Sequence, residues 1–150
     1  MESHEFQSLR KKLKKTQEEM AHLLGISVKA IRSYEQGWRS IPAHAERQIL
    51  FLCAKKDEIL TPTKPCWTVN KCSKDRKEAC PAWEFQAGAI CWFINGTICS
   101  GTDHQSWREK IEICKMCKAF PDGLKNVLKA SQTLAETPPN ENCFRQTQNE

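Results

Sequence analysis

The sequence lacks any long run of apolar residues. Nothing in it approaches the roughly 18 consecutive apolar residues that cross a bilayer. The N-terminal segment Met1–Glu5 is polar and leads into the basic Arg10–Lys12 without an apolar stretch behind it. We therefore expect neither a membrane segment nor a secretory signal, and we expect a cytoplasmic protein.

The residue constellations that indicate enzymes are also missing. There is no pair of carboxylates in apolar surroundings, no nucleophile with a plausible base and no glycine-rich phosphate loop. The sequence therefore predicts that the protein is not an enzyme and has no small-molecule substrate. The formal net charge of +5 suits a nucleic-acid partner, although an excess of this size does not identify one by itself.

Cysteine, in contrast, is abundant. Eight of the nine cysteines follow residue 60. A cytoplasmic compartment is reducing, and an odd number of thiols cannot pair completely within one chain. Metal ligation is therefore the leading explanation for the cysteines.

Composition divides the chain into five parts. Residues 1–60 read as short helices, and residues 61–65 (TPTKP) form a proline-bearing linker. Residues 66–120 hold seven cysteines and four of the five tryptophans. Residues 121–135 predict a short amphipathic helix from the spacing of Leu124, Val127 and Leu128. The polar segment 136–150 predicts a disordered tail.

Capping signals define two helices in the N-terminal part. Thr16 and Glu19 form a capping box at the start of one helix, and Gly25 ends it because glycine enters the left-handed conformation without steric cost. Ser27 then caps the next helix. Two helices joined by a short turn that contains glycine predict a helix-turn-helix, whose second helix can enter the major groove.

Residues 16–27 (TQEEMAHLLGIS), residues 30–37 (AIRSYEQG) and Ile41-Pro42 resemble the lambda-repressor/Cro-like (XRE) family over residues 6–57. The resemblance implies a five-helix DNA-binding domain, closed by a helix over residues 42–55 that begins with proline in its first turn. It also implies double-stranded DNA as partner and a homodimer on a palindromic site. The positions that match DNA contacts are Gln17, Ser27, Val28, Lys29, Arg32, Ser33, Trp38 and Arg39.

These positions carry different expected roles. Gln17 would meet a phosphate or a base edge, and Lys29 or Arg32 would read guanine acceptors. Trp38 and Arg39 match a loop that touches phosphates. In the alternative interpretation Lys29 and Arg32 are only solvated charges, and Trp38 packs against the fourth helix. Cys53 lies on the apolar face of that helix, which favours a buried structural thiol over a ligand.

The seven cysteines of residues 66–120 are the candidate metal ligands. A module of this size with few aliphatic residues needs a cross-link to stabilise its fold, and a metal bound by several thiolates provides one. Only Cys114-x2-Cys117 has the short spacing typical of zinc knuckles. Dispersed thiols, the Cys80-Pro81 step and nearby tryptophans favour an iron-sulfur cluster over zinc. The candidate ligands are Cys66, Cys72, Cys80, Cys91, Cys99, Cys114 and Cys117.

Seven thiols exceed the four that one centre needs. The other three would be core thiols, a second centre or a redox-active disulfide, and in the plainest interpretation all seven are inert core residues. His104 is isolated in a polar loop, which favours a solvated side chain, although it would complete a site short of one thiolate.

Residues 66–120 contain a further pattern, made of Cys66-Trp67, Cys80-Pro81-Ala82, Cys91-Trp92, Gly96-Thr97, Cys99, Trp107 and Cys114-x2-Cys117. This pattern resembles the two-CW domain family, a cysteine-rich module of bacterial signalling proteins.

The fold expected from the sequence is mainly α, a five-helix DNA-binding domain followed by a small, irregular, metal-stapled module. The expected function is transcriptional regulation, with the module sensing redox state, oxygen or metal supply. One alternative is a repressor whose zinc or dimerisation module is purely structural and which responds to a protein partner. Another alternative is an electron carrier with an attached DNA-binding domain.

Overall fold

The computed structural model describes residues 1–58, 64–99 and 101–133. These residues form nine α-helices, one 3-10 turn at Cys91–Phe93 and no strand beyond an isolated bridge between Cys99 and Thr102. The expectation of a mainly α fold is confirmed. The helices are α1 (Ser3–Lys12), α2 (Gln17–Leu24), α3 (Val28–Glu35), α4 (Ala43–Lys56), α5 (Cys66–Val69), α6 (Lys74–Glu78), α7 (Pro81–Glu84), α8 (Trp107–Met116) and α9 (Asp122–Thr133).

The caps of α2 and α3 are those that the sequence predicts. The Thr16 hydroxyl accepts from the Glu19 amide at 3.1 Å, and the Glu19 carboxylate accepts from the Thr16 amide at 2.8 Å. Gly25 ends α2 in the left-handed region with φ of 64°. The Ser27 hydroxyl accepts from the Ala30 amide at 3.1 Å at the start of α3.

The prediction of five helices within residues 1–60 is not met in the part that the structure describes, where residues 1–58 form four. α4 ends at Lys56, and Glu58 then has a positive φ of 54°, which stops the helix. The helix that packs beside this bundle comes instead from the C-terminal part, because α9 contacts both α1 and α4. Leu124 and Leu128 of α9 are buried there.

The cysteine-rich part is more regular than expected, since short helices and one 3-10 turn occupy much of it. Its large buried apolar side chains, among them Trp92, Trp107 and Phe120, belong to the same hydrophobic cluster as those of α1 to α4. Phe51 of α4 lies 5.6 Å from Phe93 between ring centroids, and Arg47 of α4 lies 4.6 Å from the centroid of the Trp107 ring. The two parts of the chain therefore share one core.

Part of the predicted linker (residues 61–63) and the whole of the predicted tail (residues 136–150) lie outside the described residues. Within the described residues, no helix is both long enough and apolar enough to cross a bilayer.

Candidate DNA interface and cysteine cavity

α2 and α3 cross at a tight turn formed by Gly25, Ile26 and Ser27. Ala21 and Ile31 are 3% and 0% exposed at the crossing, so the small alanine allows close approach and the isoleucine fills the angle between the helices. This packing holds α3 with one face on the core and the other outward. The outward face is available to the major groove of a duplex.

The outward face of α3 is polar and basic. Ser27, Lys29 and Arg32 are exposed and Val28 is partly exposed. Arg39 is also exposed, in the loop after α3. Trp38 is 77% exposed, so it does not pack against the fourth helix as the alternative interpretation required.

Ser33 departs from the prediction of a solvent-facing side chain. It is 8% exposed, and its hydroxyl donates to the Lys29 carbonyl at 2.9 Å. Ser33 directly precedes the buried Tyr34, and the chain after α3 turns back over it, because the Trp38 and Arg39 amides both donate to the Ser33 carbonyl. The structure therefore does not present Ser33 to DNA.

Hydrogen bonds hold Gln17 and Arg32 in place. The Gln17 amide nitrogen donates to Glu35 Oε2 at 2.8 Å, and Arg32 Nε donates to Gln17 Oε1 at 3.3 Å. Arg10 of α1 donates from Nη2 to the same Glu35 oxygen at 3.0 Å. The predicted phosphate contact and the predicted base contact are thus positioned through one carboxylate.

The Glu35 carboxylate is the charged centre of this network. Burial opposes its ionisation, yet the hydrogen bonds from Arg10 and Gln17 keep the pKa of Glu35 below its ordinary value. The anion is therefore present near neutral pH and holds both partners.

Residues 6–43 match the model of a family described as helix-turn-helix. This segment is a helix-turn-helix. The match supports binding of double-stranded DNA by a transcriptional regulator, and it covers none of the seven candidate ligand cysteines. No curated protein and no solved structure matches the chain.

Beyond the helix-turn-helix, the seven candidate ligand cysteines all line one cavity of about 720 Å³. The sequence spreads them over more than fifty residues, so their convergence is a property of the fold. Among the described residues, the cavity wall also contains the cations Lys71, Arg76, Lys77 and Lys118 and no carboxylate. An occupant with negative charge would therefore be favoured.

The deepest thiols of the cavity are neutral at ordinary pH. Burial raises the pKa of Cys114 to about 12. Cys91 donates a hydrogen bond to Cys66, which raises the pKa of the Cys91 thiol and lowers that of Cys66. Burial also raises the pKa of Cys72. A metal that binds as thiolate complex must displace these protons, so its affinity falls as pH falls.

A closed site for one metal ion is not preformed among the described residues, since no three metal-ligating side chains converge there closely enough. Four thiolates on one zinc at about 2.3 Å would bring neighbouring sulfurs to within roughly 3.8 Å of each other. Thiols are donors of the kind that soft metals prefer.

Two other candidate residues lie apart from this cavity. Cys53 is fully buried in α4, and burial raises its pKa to about 12, as expected of a structural thiol. His104 is not among the lining residues, and its buried Nε2 has no hydrogen-bond partner in the described part of the chain. The structure does not bring His104 to the thiols.

Sequence reasoning missed Lys110, which is 1% exposed beside the cavity. A signal for it exists. Lys110 shares the helical spacing of Trp107, Ile111 and Cys114, which are all buried on one face of α8.

Proposed function

We propose that the protein is a transcriptional regulator, not an enzyme, that binds DNA in the cytoplasm as a homodimer. Its cysteine cavity would hold a metal-thiolate centre, an iron-sulfur cluster in preference to zinc, that senses redox state, oxygen or metal supply. The match of residues 6–43 to the helix-turn-helix family carries the DNA-binding half of this proposal. The convergence of seven thiols on one cavity without carboxylates supports the metal half.

The DNA-binding half assigns α3 to the major groove. Lys29 and Arg32 would face base edges, where a good contact discriminates by about 1–3 kcal/mol. Gln17 stands at the start of α2, where a helix N-terminus favours a phosphate. The network through Glu35 supports this division, because it orients Gln17 and Arg32 together.

The first experiment selects a preferred site from random-sequence DNA with the full-length protein and then compares affinities. Arg32→Ala should weaken binding to the selected site by about 1–3 kcal/mol while leaving random DNA nearly unchanged. Gln17→Ala should weaken both DNAs evenly. Arg108→Ala is the matched control, since Arg108 is exposed on α8. Equal losses for Arg32→Ala and Arg108→Ala, or no sequence preference in the wild type, would contradict the assignment.

The second experiment determines the composition of protein purified without oxygen. An iron-sulfur cluster should give a brown protein that contains iron and acid-labile sulfide. A colourless protein with stoichiometric zinc would instead support a structural zinc module. Metal-free protein with seven alkylatable thiols in the cavity would contradict both forms of the metal centre.

A further inference from the structure

Lys110 is a buried cation at the back of the cysteine cavity. Only 1% of it is exposed, and it lies one helical turn before Cys114 on α8. Its Nζ donates to the Thr97 hydroxyl, and Thr97 Oγ1 is 3.4 Å from Cys99 Sγ. Lys110 is thus tied to the cavity wall through Thr97, which is itself a lining residue.

Among the described residues, no carboxylate forms an ion pair with Lys110 Nζ, and the Thr97 hydroxyl accepts a hydrogen bond from it. Lys110 interacts electrostatically with the thiols of Cys91 and Cys114. Burial of an ammonium without a compensating anion is costly, because the group loses its hydration.

An anionic occupant of the cavity would remove this imbalance. A divalent metal ion held by four thiolates carries a net charge of about −2. The cations of the lining, Lys71, Arg76, Lys77 and Lys118, add to the same positive field. Lys110 differs from them because it is buried. Water and ions screen the interactions of a buried charge least.

We propose that Lys110 is the internal counter-ion of an anionic metal-thiolate centre that includes Cys91, Cys99 and Cys114. The inference rests on the metal half of the proposed function and adds a residue outside the ligand set. Lys110 acts through the charge of the centre and through Thr97, so it is a positioning residue.

This role gives Lys110 opposite effects in the two states of the protein. In the metal-free protein the ammonium is uncompensated, so its removal stabilises the fold. In the metal-bound protein the ammonium offsets the charge of the thiolates, so its removal weakens metal binding. If Lys110 merely filled space, replacing it with an apolar side chain would stabilise both the metal-free and the metal-bound protein.

The experiment uses full-length protein stripped of metal under reducing conditions, with Zn²⁺ as the probe. Lys110→Met keeps the flexible stem without charge, and Lys110→Arg keeps the charge. Lys115→Met is the matched control, because Lys115 lies on α8 and bonds the exposed Glu112 at 2.7 Å. Zn²⁺ affinity is measured by competition with a chromophoric chelator, and metal-free stability by the urea midpoint.

Lys110→Met should raise the urea midpoint of the metal-free protein and lower Zn²⁺ affinity by about 10- to 100-fold. Lys110→Arg should retain most of the affinity, and Lys115→Met should change neither quantity. Loss of stability and affinity together, failure of Lys110→Met to fold, or unchanged affinity would each overturn the role of Lys110. A wild type that binds no Zn²⁺ and, when purified without oxygen, contains neither iron nor acid-labile sulfide would instead overturn the thiolate centre itself, which separates the two failures.

Discussion

Gly88 lies where the two Cys-Trp segments meet. Its carbonyl accepts from the Cys66 amide at 3.1 Å. A Cβ placed at this position would lie 2.5 Å from Pro65 Cβ and 2.7 Å from the Trp67 ring. Neither neighbour is the end of a flexible chain, so the close approach requires glycine. Through this contact Gly88 brings the first Cys-Trp pair to the cavity.

Gly88→Ala should therefore lower the free energy of unfolding by about 1–3 kcal/mol, the usual cost of overpacking. In the proposed metal-bound form it should also reduce the metal content, because Cys66 moves with its backbone amide. Urea denaturation and metal analysis measure both effects. Gly25→Ala is the comparison variant. A Cβ at Gly25 meets nothing within 4 Å, but the φ of 64° strains the backbone of any residue with a side chain. That variant should lose stability while keeping its metal, and wild-type behaviour of Gly88→Ala would contradict the steric argument.

At the residue scale, sequence reasoning succeeded where one local interaction decides the structure. Thr16 with Glu19, Gly25 and Ser27 have the capping roles that were predicted. It failed for Ser33, which was predicted to contact DNA, and it missed the buried interactions of Arg10 and Lys110. These two polar side chains are held by tertiary partners, Glu35 for Arg10 and Thr97 for Lys110. Such partners are distant in sequence and cannot be read from local spacing.

At the element scale, α9 shows what periodicity can and cannot predict. The i, i+4 spacing of Leu124 and Leu128 predicts a helix with one apolar face, and the structure has that helix at Asp122–Thr133. The pattern does not name the partner of the face. In the structure the partners are α1 and α4, at the other end of the chain.

The short elements of the cysteine-rich part were beyond sequence reasoning for a related reason. α5, α6 and α7 have four or five residues each, which is too short for a helical period to stand out. The Cys80-Pro81 step was read as a cluster signature, and in the structure Pro81 also occupies the first turn of α7. The candidate ligands were predictable as a set, but their arrangement around one cavity was not.

At the scale of the whole molecule, α4 joins the cysteine cavity to the helix-turn-helix. Cys91 and Phe93 belong to one 3-10 turn, and Phe93 contacts Phe51 of α4. α4 also reaches α2, because the Gln48 side chain donates to the Leu23 carbonyl at 2.9 Å. Leu23 lies two residues before the turn that sets the angle of α3. A change at the thiols therefore has a contiguous route to the DNA-reading helix.

Removal of metal from the full-length protein should therefore weaken its binding to the selected DNA site. Metal-thiolate bonds would contribute to the folding of the cysteine-rich part, so their loss should reduce the order of the Cys91–Phe93 turn and of its contact with α4. We expect the affinities with and without metal to differ about 5-fold or more, the range typical of coupled sites. Affinity measurements are paired with circular dichroism, which reports whether the N-terminal helices persist.

The variant Phe51→Ala tests the route, because it removes the contact with Phe93 and leaves the cysteines and α3 intact. The ratio of affinities with and without metal should fall toward one in this variant. Lys55→Ala is the control, since Lys55 is exposed on the same helix, and its ratio should equal that of the wild type. An equal ratio in all three proteins would exclude α4 as the route. Unchanged affinity of the wild type after complete metal removal would show that the centre does not act on DNA binding, because every DNA-reading residue is the same in both states.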